Sequence, residues 1–208
     1  MRLFLVRHGQ STYNRDGLGL GREDPPLTDL GLRQTAAAVE RLAGERVDRI
    51  LTSPLERAAA IARGLADRTG APLETREELI EMDVGETEGL PFREMRERFP
   101  AFIEAWRAPD PTDVVMPGGE SLAQVAARLE PLAAELHTLP DEDTVVAVSH
   151  NFVVRLLICR LLDLEVAAFR AFSLDLASVS TLSLRAGQAS LRTLNNRCHL
   201  PADPNTGA

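Results

Sequence analysis

The stretch Leu3-Phe4-Leu5-Val6-Arg7-His8-Gly9 decides how the rest of the chain is interpreted. Its short apolar run predicts a buried strand over residues 2–7, and that strand ends on a cation and an imidazole. Gly9 then permits a sharp turn and a close approach of the backbone to a ligand. Because ligands of open α/β sheets bind at the carboxyl ends of strands, Arg7 and His8 are candidate site residues. Taken alone, a histidine after a strand is more often structural than catalytic.

The composition of the 208-residue chain is typical of a soluble globular protein, with 44% hydrophobic and 26% charged residues. This length suits one ordinary domain whose core needs neither disulfides nor a structural metal. The formal net charge of −8 argues against a nucleic-acid partner, so a local cluster of arginines must hold any anionic substrate. The two cysteines are too few for a disulfide framework.

The sequence also favours a cytoplasmic location. The chain enters a strand at its first residues, without a charged and then apolar leader. No uninterrupted apolar run is long enough to span a membrane, so no membrane partner is expected.

Apolar strands alternate with amphipathic helices along the chain. Strands are predicted at residues 2–7, 47–52, 73–75 and 144–148, with a terminal hairpin over 179–185 and 189–194, and helices at 28–44, 53–70, 120–138 and 152–162. This alternation predicts an α/β fold, a three-layer α/β/α sandwich around a mainly parallel, mixed sheet. We expect a single domain over residues 1–200, with a helical excursion at about 91–119 and a flexible tail at 201–208.

The helix predicted to begin near residue 53 carries a cation at an unusual place. Ser53 and Glu56 have the spacing of a capping box, and Pro54 falls at the first helical position. Arg57 then lies in the first turn, where the positive end of the helix dipole is mildly unfavourable for a cation. An anion bound at the helix N-terminus would offset this, although a solvated surface arginine is the simpler explanation for Arg57 alone.

Ser149-His150-Asn151 repeats the first motif, because an apolar strand again ends on a histidine and a helix follows. The two strand-end histidines could ligate a metal together with Glu81 or Asp83. The neighbouring arginines would repel a dication, so phosphate is the favoured ligand.

An acidic run lies between the two histidine motifs and comprises Glu77, Glu78, Glu81, Asp83, Glu86 and Glu88. Such a run is usually a solvated loop. A member that faces the arginines can serve as a general acid, but composition does not choose among the six.

Together these motifs resemble the histidine phosphatase superfamily, also called the phosphoglycerate-mutase-like family. The matching residues, in chain order, are Arg7-His8-Gly9 with Asn14, Pro26-Leu27-Thr28 with Gly31 and Gln34, Thr52-Ser53-Pro54-Leu55 with Arg57, Leu79, Glu81, Gly85 and Glu88-Gly89, Gly118-Gly119-Glu120-Ser121, and Ser149-His150. They span roughly residues 2–160 in the family's order, which makes chance a poor explanation.

The resemblance implies a role for each site residue. His8 is expected to attack phosphorus and become phosphohistidine, and Glu81 to protonate the leaving alkoxide and then assist the hydrolytic water. The residues expected to bind the phosphoryl oxygens are Arg7, Asn14, Gly21, Arg57, His150 and Asn151. No cofactor and no metal are expected, because the arginines and a histidine supply the positive charge. The expected partner is a small phosphomonoester, and an edge strand or the excursion could pair two copies into a homodimer.

Two positions depart from the family's pattern. Relatives often have glutamine just before the glycine that matches Gly21, whereas this chain has Leu20. The loss of that side-chain contact is expected to alter substrate preference. Relatives often have glycine after the second histidine, whereas this chain has Asn151-Phe152, and Phe152 is expected either to narrow the pocket or to pack beneath it.

The excursion favours the phosphatase branch over the mutase branch of the family. Mutases usually carry a longer insertion with basic and aromatic residues that grip a sugar-acid phosphate, and this chain contains no lysine at all. Phe92, Phe99 and Trp106 are most simply the core of the excursion, although they could also line a pocket for an organic leaving group. A third alternative, a module that binds a phospho-ligand without turnover, is disfavoured because all the expected catalytic residues are present.

Overall fold

The computed structural model describes residues 1–200 and is organised around a six-stranded sheet. Its strands are β1 (Arg2–Arg7), β2 (Arg49–Thr52), β3 (Leu73–Thr75), β4 (Thr144–Ser149), β5 (Val179–Arg185) and β6 (Gln188–Asn196), in the order β3-β2-β4-β1-β5-β6. The first four strands run parallel, and the β5–β6 hairpin adds to β1 in the antiparallel sense. The predicted α/β fold with a mainly parallel, mixed sheet is confirmed.

Helices cover both faces of the sheet. They are α1 (Thr12–Asp16), α2 (Asp29–Ala43), α3 (Glu56–Thr69), α4 (Phe92–Arg98), α5 (Pro100–Arg107), α6 (Leu122–Thr138) and α7 (Asn151–Leu161), with 3₁₀ turns at Glu77–Leu79, Gly85–Thr87 and Val166–Ala171. Alternate residues of a strand point to opposite faces, so Phe4 and Val6 pack in one core with α2 and α3. Leu3 and Leu5 pack in the other core with α6 and α7.

The sheet register brings the strand ends together at one edge. Parallel pairing of β1 with β4 aligns Arg7 with Ser149, so His8 and His150 leave the sheet side by side. The pairing of β2 with β4 aligns Thr52 with Val148 and places Ser53 at the same edge.

The predicted capping box of α3 is wrong. The helix begins at Glu56 with Leu55 as its N-cap, and no side chain of that N-cap bonds the first turn. Ser53 Oγ instead accepts from the Leu55 amide and contacts a histidine ring, because the chain makes a turn at Pro54 before it becomes helical. Thr28 and Ser121 do cap α2 and α6, at the helix starts that the sequence indicates.

The excursion between β3 and α6 contains two short helices, and Pro100 opens the second of them. The single domain over residues 1–200 stays a prediction, and the tail at 201–208 lies outside the described residues. Among the helices of residues 1–200, none has the length and apolar character needed to cross a membrane.

Candidate active site

His8 directly follows β1, and backbone hydrogen bonds to two other segments hold it in place. Its amide donates to Ser149 O at 3.0 Å, and its carbonyl accepts from the Ala177 amide at 2.9 Å. The ring is buried, and Nδ1 lies 2.7 Å from Gly9 O. Because a carbonyl oxygen only accepts, Nδ1 carries the proton and Nε2 keeps a free lone pair. The His8 ring is therefore oriented for attack through Nε2.

The surroundings of His8 keep it neutral. Burial lowers its pKa well below 6.5, and the positive charges of Arg57 and Arg7 lower it further. A neutral imidazole is the nucleophilic form, so His8 is ready to react at neutral pH.

Gly9 is required by the packing behind His8. A Cβ atom at residue 9 would lie 2.6 Å from Gly31 O, in the first turn of α2. The glycine therefore lets α2 approach the strand end closely.

His150 lies next to His8, with ring centroids 5.1 Å apart. Its Nε2 contacts Ser53 Oγ at 2.7 Å, whereas its buried Nδ1 has no partner within residues 1–200. Burial and the charge of Arg57 lower the pKa of His150 well below 6.5, so this ring is also neutral. Ser53 Oγ keeps its own hydrogen while it accepts from the Leu55 amide, so we assign the hydroxyl as the donor to Nε2. This assignment places the His150 proton on Nδ1, where a ligand can accept it.

Arg7 and Arg57 are buried cations held mainly by backbone carbonyls. Arg7 Nη1 donates to Leu174 O at 2.6 Å, and Arg57 donates to Gly21 O at 2.6 Å and to Glu23 O at 2.5 Å. The Nε groups of both arginines are buried without a partner in the described part of the chain. Burial lowers the pKa of Arg7 to about 10, which leaves it charged at neutral pH. Both side chains therefore offer charge and a free donor to an anion.

The anion at the N-terminus of α3 belongs to the chain itself. Asp24 accepts from the Glu56 amide at 2.5 Å and from the Arg57 amide at 3.4 Å, and it also lies 3.3 Å from Arg57 Nη1. This carboxylate offsets the unfavourable position of the cation in the first helical turn. The sequence does not single out Asp24, because it lies 32 residues before the amide it caps.

Of the six acidic residues between Glu77 and Glu88, Glu81 alone lines the cavity next to Arg7 and His8. It is 3% exposed, and its carboxylate accepts from the Met82 amide at 2.9 Å and the Phe152 amide at 3.3 Å. Burial raises its pKa above the ordinary 4.5, although these amides and the two arginines act in the opposite direction. A carboxyl with a raised pKa is suited to donate a proton.

Glu88 was missed by sequence reasoning as a functional residue, although it belongs to the acidic run. Its carboxylate accepts from the backbone amides of Gly21 at 2.5 Å, Arg22 at 2.8 Å and Glu23 at 3.3 Å. The same loop presents the carbonyls that hold Arg57. Glu88 thus supports an arginine of the site through the loop at 21–23.

Gly21 belongs to that support and does not line the cavity. Its amide donates to Glu88 and its carbonyl accepts from Arg57. A Cβ atom there would lie 2.7 Å from Met82 O and 2.8 Å from a methyl of Val84, so only glycine fits.

Asn14 and Asn151 both line the cavity with Arg7, His8 and Glu81. Asn14 Oδ1 accepts from the Ser11 amide at 3.1 Å in the capping box of α1, which leaves the Nδ2 group available. Asn151 is the first residue of α7, directly after His150.

The cavity has a volume of about 270 Å³ and lies between the strand ends and the excursion. Arg57 and His150, both buried, and Gly21 are not among its lining residues. Leu20, Phe92 and Trp106 line it, whereas Phe99 does not. Phe152 also lines it and meets Trp106 edge-on at 6.1 Å, so it narrows the cavity.

Within residues 1–200, Arg7, Arg57 and His150 each have a buried side-chain nitrogen without a partner. The charges of both arginines act on His8, and the His150 ring lies next to it. Donors and positive charge around three equatorial oxygens are what phosphoryl transfer requires. Within residues 1–200, no group of three or more His, Cys, Asp or Glu side chains is arranged to hold a metal ion.

Comparison with known proteins agrees with this chemistry. The sequence model of the histidine phosphatase superfamily (branch 1) matches residues 3–197. The chain is 32% identical to phosphoserine phosphatase 1 of Hydrogenobacter thermophilus over 96% of its own length and 94% of the relative's. It is 33% identical to the adenosylcobalamin/alpha-ribazole phosphatase of Escherichia coli, over 95% and 97% of the two lengths.

A mycobacterial glucosyl-3-phosphoglycerate phosphatase, solved as a complex with VO3, superposes with a TM-score of 0.85. The two chains are 35% identical, and the match covers 94% of this chain and 99% of the other. With the family's sequence pattern matched from the first strand to the last, the chain belongs to branch 1 of the histidine phosphatase superfamily.

Proposed function

We propose that this protein is a phosphomonoesterase that acts through a phosphohistidine on Nε2 of His8. The observation that carries the proposal is the free Nε2 lone pair of His8, whose ring feels the charges of Arg7 and Arg57 and neighbours that of His150. The similar proteins named above are phosphatases, which supports hydrolysis as the reaction.

In the first step the Nε2 lone pair attacks phosphorus and the P–O ester bond breaks. Glu81 gives its proton to the departing alkoxide, which leaves as an alcohol. In the second step a water attacks the phosphohistidine, Glu81 takes a proton from that water, and the P–N bond breaks. His8 is neutral again, and inorganic phosphate is released.

The remaining site residues bind and orient the phosphoryl group. Arg7, Arg57 and His150 donate to its oxygens, with Asn14 and Asn151 at the rim of the cavity. Gly21 contributes by holding Arg57 in place. The proposal invokes neither a metal nor a cofactor, since the arginines neutralise the charge that develops on oxygen. A cytoplasmic location, pairing into a homodimer and the lack of nucleic-acid partners stay predictions from the sequence.

A phosphoglycerate mutase is the second candidate, and the chain's lack of lysine argues against it. A mutase would interconvert phosphoglycerates only when primed by a bisphosphoglycerate. Rapid phosphate release without such interconversion excludes this activity.

The test is single-turnover reaction of the protein with p-nitrophenyl phosphate, followed by rapid quenching in base and intact mass measurement. Wild type should gain the mass of one phosphoryl group and then release phosphate. His8→Gln should do neither, while the control His137→Gln, at the far end of α6, should behave as wild type. A protein that binds phosphate but never forms the adduct would be a binding module and would refute the proposal.

A further inference from the structure

The wall of the cavity opposite the strand ends is almost entirely apolar. The excursion and the neighbouring loops provide it with Leu18, Leu20, Val84, Phe92, Met95, Phe102, Ile103, Trp106, Met116 and Phe152. The polar lining residues lie with the phosphoryl site, apart from Thr87, whose hydroxyl donates to Val84 O at 2.7 Å. The space that receives the leaving group is therefore hydrophobic.

The excursion leaves apolar surface uncovered toward this space. Helix α5 has no fully buried residue, although Phe102, Ile103 and Trp106 form an apolar face on it. Phe92, at the mouth of the cavity, is 67% exposed. An apolar ligand would remove these side chains from water, which favours binding in proportion to the area covered.

Among residues 1–200, Arg7 is the single arginine in the cavity lining, and the phosphoryl group would use it. This part of the chain then leaves no lining cation for a second anionic group. Arg107, Arg155 and Arg170 do not line the cavity but a neighbouring groove, which shares Phe92, Trp106, Asn151 and Phe152 with it. A carboxylate on the leaving group would instead lie in the same cavity as Glu81.

Two of the three guanidinium groups in that groove, those of Arg155 and Arg170, are already engaged with the protein. Arg155 Nε donates to Phe169 O at 2.8 Å, and its guanidinium lies 4.4 Å from the Phe169 ring centre. Arg170 donates to the carbonyls of Ala108 and Trp106. Arg155 thus fastens α7 to the turn that follows it, and Arg170 fastens that turn to the end of α5, so both have a structural role that needs no ligand.

We infer that the substrate's leaving group is an uncharged apolar body, aromatic or long aliphatic, without a carboxylate near the ester. This inference rests on the proposed phosphomonoesterase function and names the class of ester that the site prefers. Phosphoserine and phosphoglycerate esters, which carry a carboxylate beside the ester, are accordingly poor substrates.

The test uses ethyl, butyl and hexyl phosphate, whose alcohols have nearly equal acidity, so that only apolar area changes along the series. We expect kcat/KM to rise about fourfold per methylene until the cavity is filled. Pentyl phosphate is compared with the phosphate ester of 5-hydroxypentanoate, which adds a carboxylate. The charged ester should be at least about tenfold poorer, because its carboxylate is desolvated without a partner.

Substitutions in the apolar lining test whether it causes the preference for apolar leaving groups. Phe152→Ala and Phe92→Ser should reduce the factor by which kcat/KM rises per methylene toward one. Because the Phe92 side chain is exposed, the Phe92→Ser protein should fold normally. Phe99→Ala is the matched control, an aromatic of the same excursion outside the cavity lining, and should keep the wild-type gain.

A flat series, or preference for the charged ester, overturns the inference while leaving the phosphatase proposal intact, because phosphate is still released. The inference would also be overturned if Phe92→Ser and Phe152→Ala both kept the wild-type gain in kcat/KM per methylene. Failure to release phosphate from any ester would instead refute the proposed function, and the inference with it.

Discussion

Replacement of Ser53 by alanine tests how the second histidine is prepared for catalysis. In the structure Ser53 Oγ lies 2.7 Å from His150 Nε2, and both side chains are fully buried. With the hydroxyl assigned as the donor to Nε2, the ring's single proton lies on Nδ1, the nitrogen that has no protein partner within residues 1–200. Without that hydroxyl, a proton on Nδ1 leaves Nε2 as a buried acceptor with no donor.

The magnitude follows from the net worth of that hydrogen bond, about 0.5–1.5 kcal/mol, which corresponds to a roughly 2- to 13-fold loss in kcat/KM because the ring is no longer fixed in orientation and tautomer. Moving the proton to Nε2 does not relieve the free protein, because Nε2–H is then a buried donor without an acceptor. The free energy of unfolding should therefore fall as well, by about 1–3 kcal/mol. The assay is steady-state phosphate release from p-nitrophenyl phosphate, together with urea unfolding of the same samples.

Ser178→Ala is the matched control, because Ser178 is also buried but its hydroxyl has no hydrogen-bond partner in the described residues. It should keep near wild-type activity. If Ser53→Ala also stayed within twofold of wild type, or lost no more than Ser178→Ala, the reasoning about the His150 tautomer would be refuted.

Three further predictions concern other groups of the site. Glu81→Gln should lower kcat/KM for alkyl phosphates by about 10²–10⁴, but much less for p-nitrophenyl phosphate, whose leaving group needs no proton. The rate–pH profile should also lose its alkaline limb, because the raised pKa of Glu81 sets the pH at which the proton donor is lost. Equal losses on both esters would contradict the role of proton donor. Glu88→Gln should raise KM about tenfold with little change in kcat, because the 21–23 loop that holds Arg57 is loosened. An unchanged KM in this variant would contradict the role of Glu88 in supporting Arg57. Because burial holds the pKa of His8 below 6.5, the unfolded chain binds a proton at this residue that the folded chain does not, and stability falls as the pH drops below 6.5. His8→Gln should make this fall shallower by up to about 1.4 kcal/mol per pH unit, measured by urea unfolding at several pH values. An unchanged slope would show that His8 is not held neutral.

Local sequence patterns determined the elements that form the sheet and where its strands end. The apolar runs before His8 and His150 identify two buried strands, and parallel pairing then brings the two histidines together. Gly70 and Ser121 mark helix boundaries through short-range backbone chemistry, which a sequence displays directly. The hairpin around Gly187 is equally local.

Tertiary structure alone decided which polar groups meet. Ser53 has the local spacing of a helix cap, yet its hydroxyl serves a histidine 97 positions away. Glu88 reaches the amide of Gly21 across 67 positions, and Asp24 caps a helix 32 residues later. Burial also separates Glu81 from its acidic neighbours and raises its pKa, a property that the run of charges does not reveal. These contacts depend on how separate loops pack over the sheet edge, and no local pattern of residues encodes that packing.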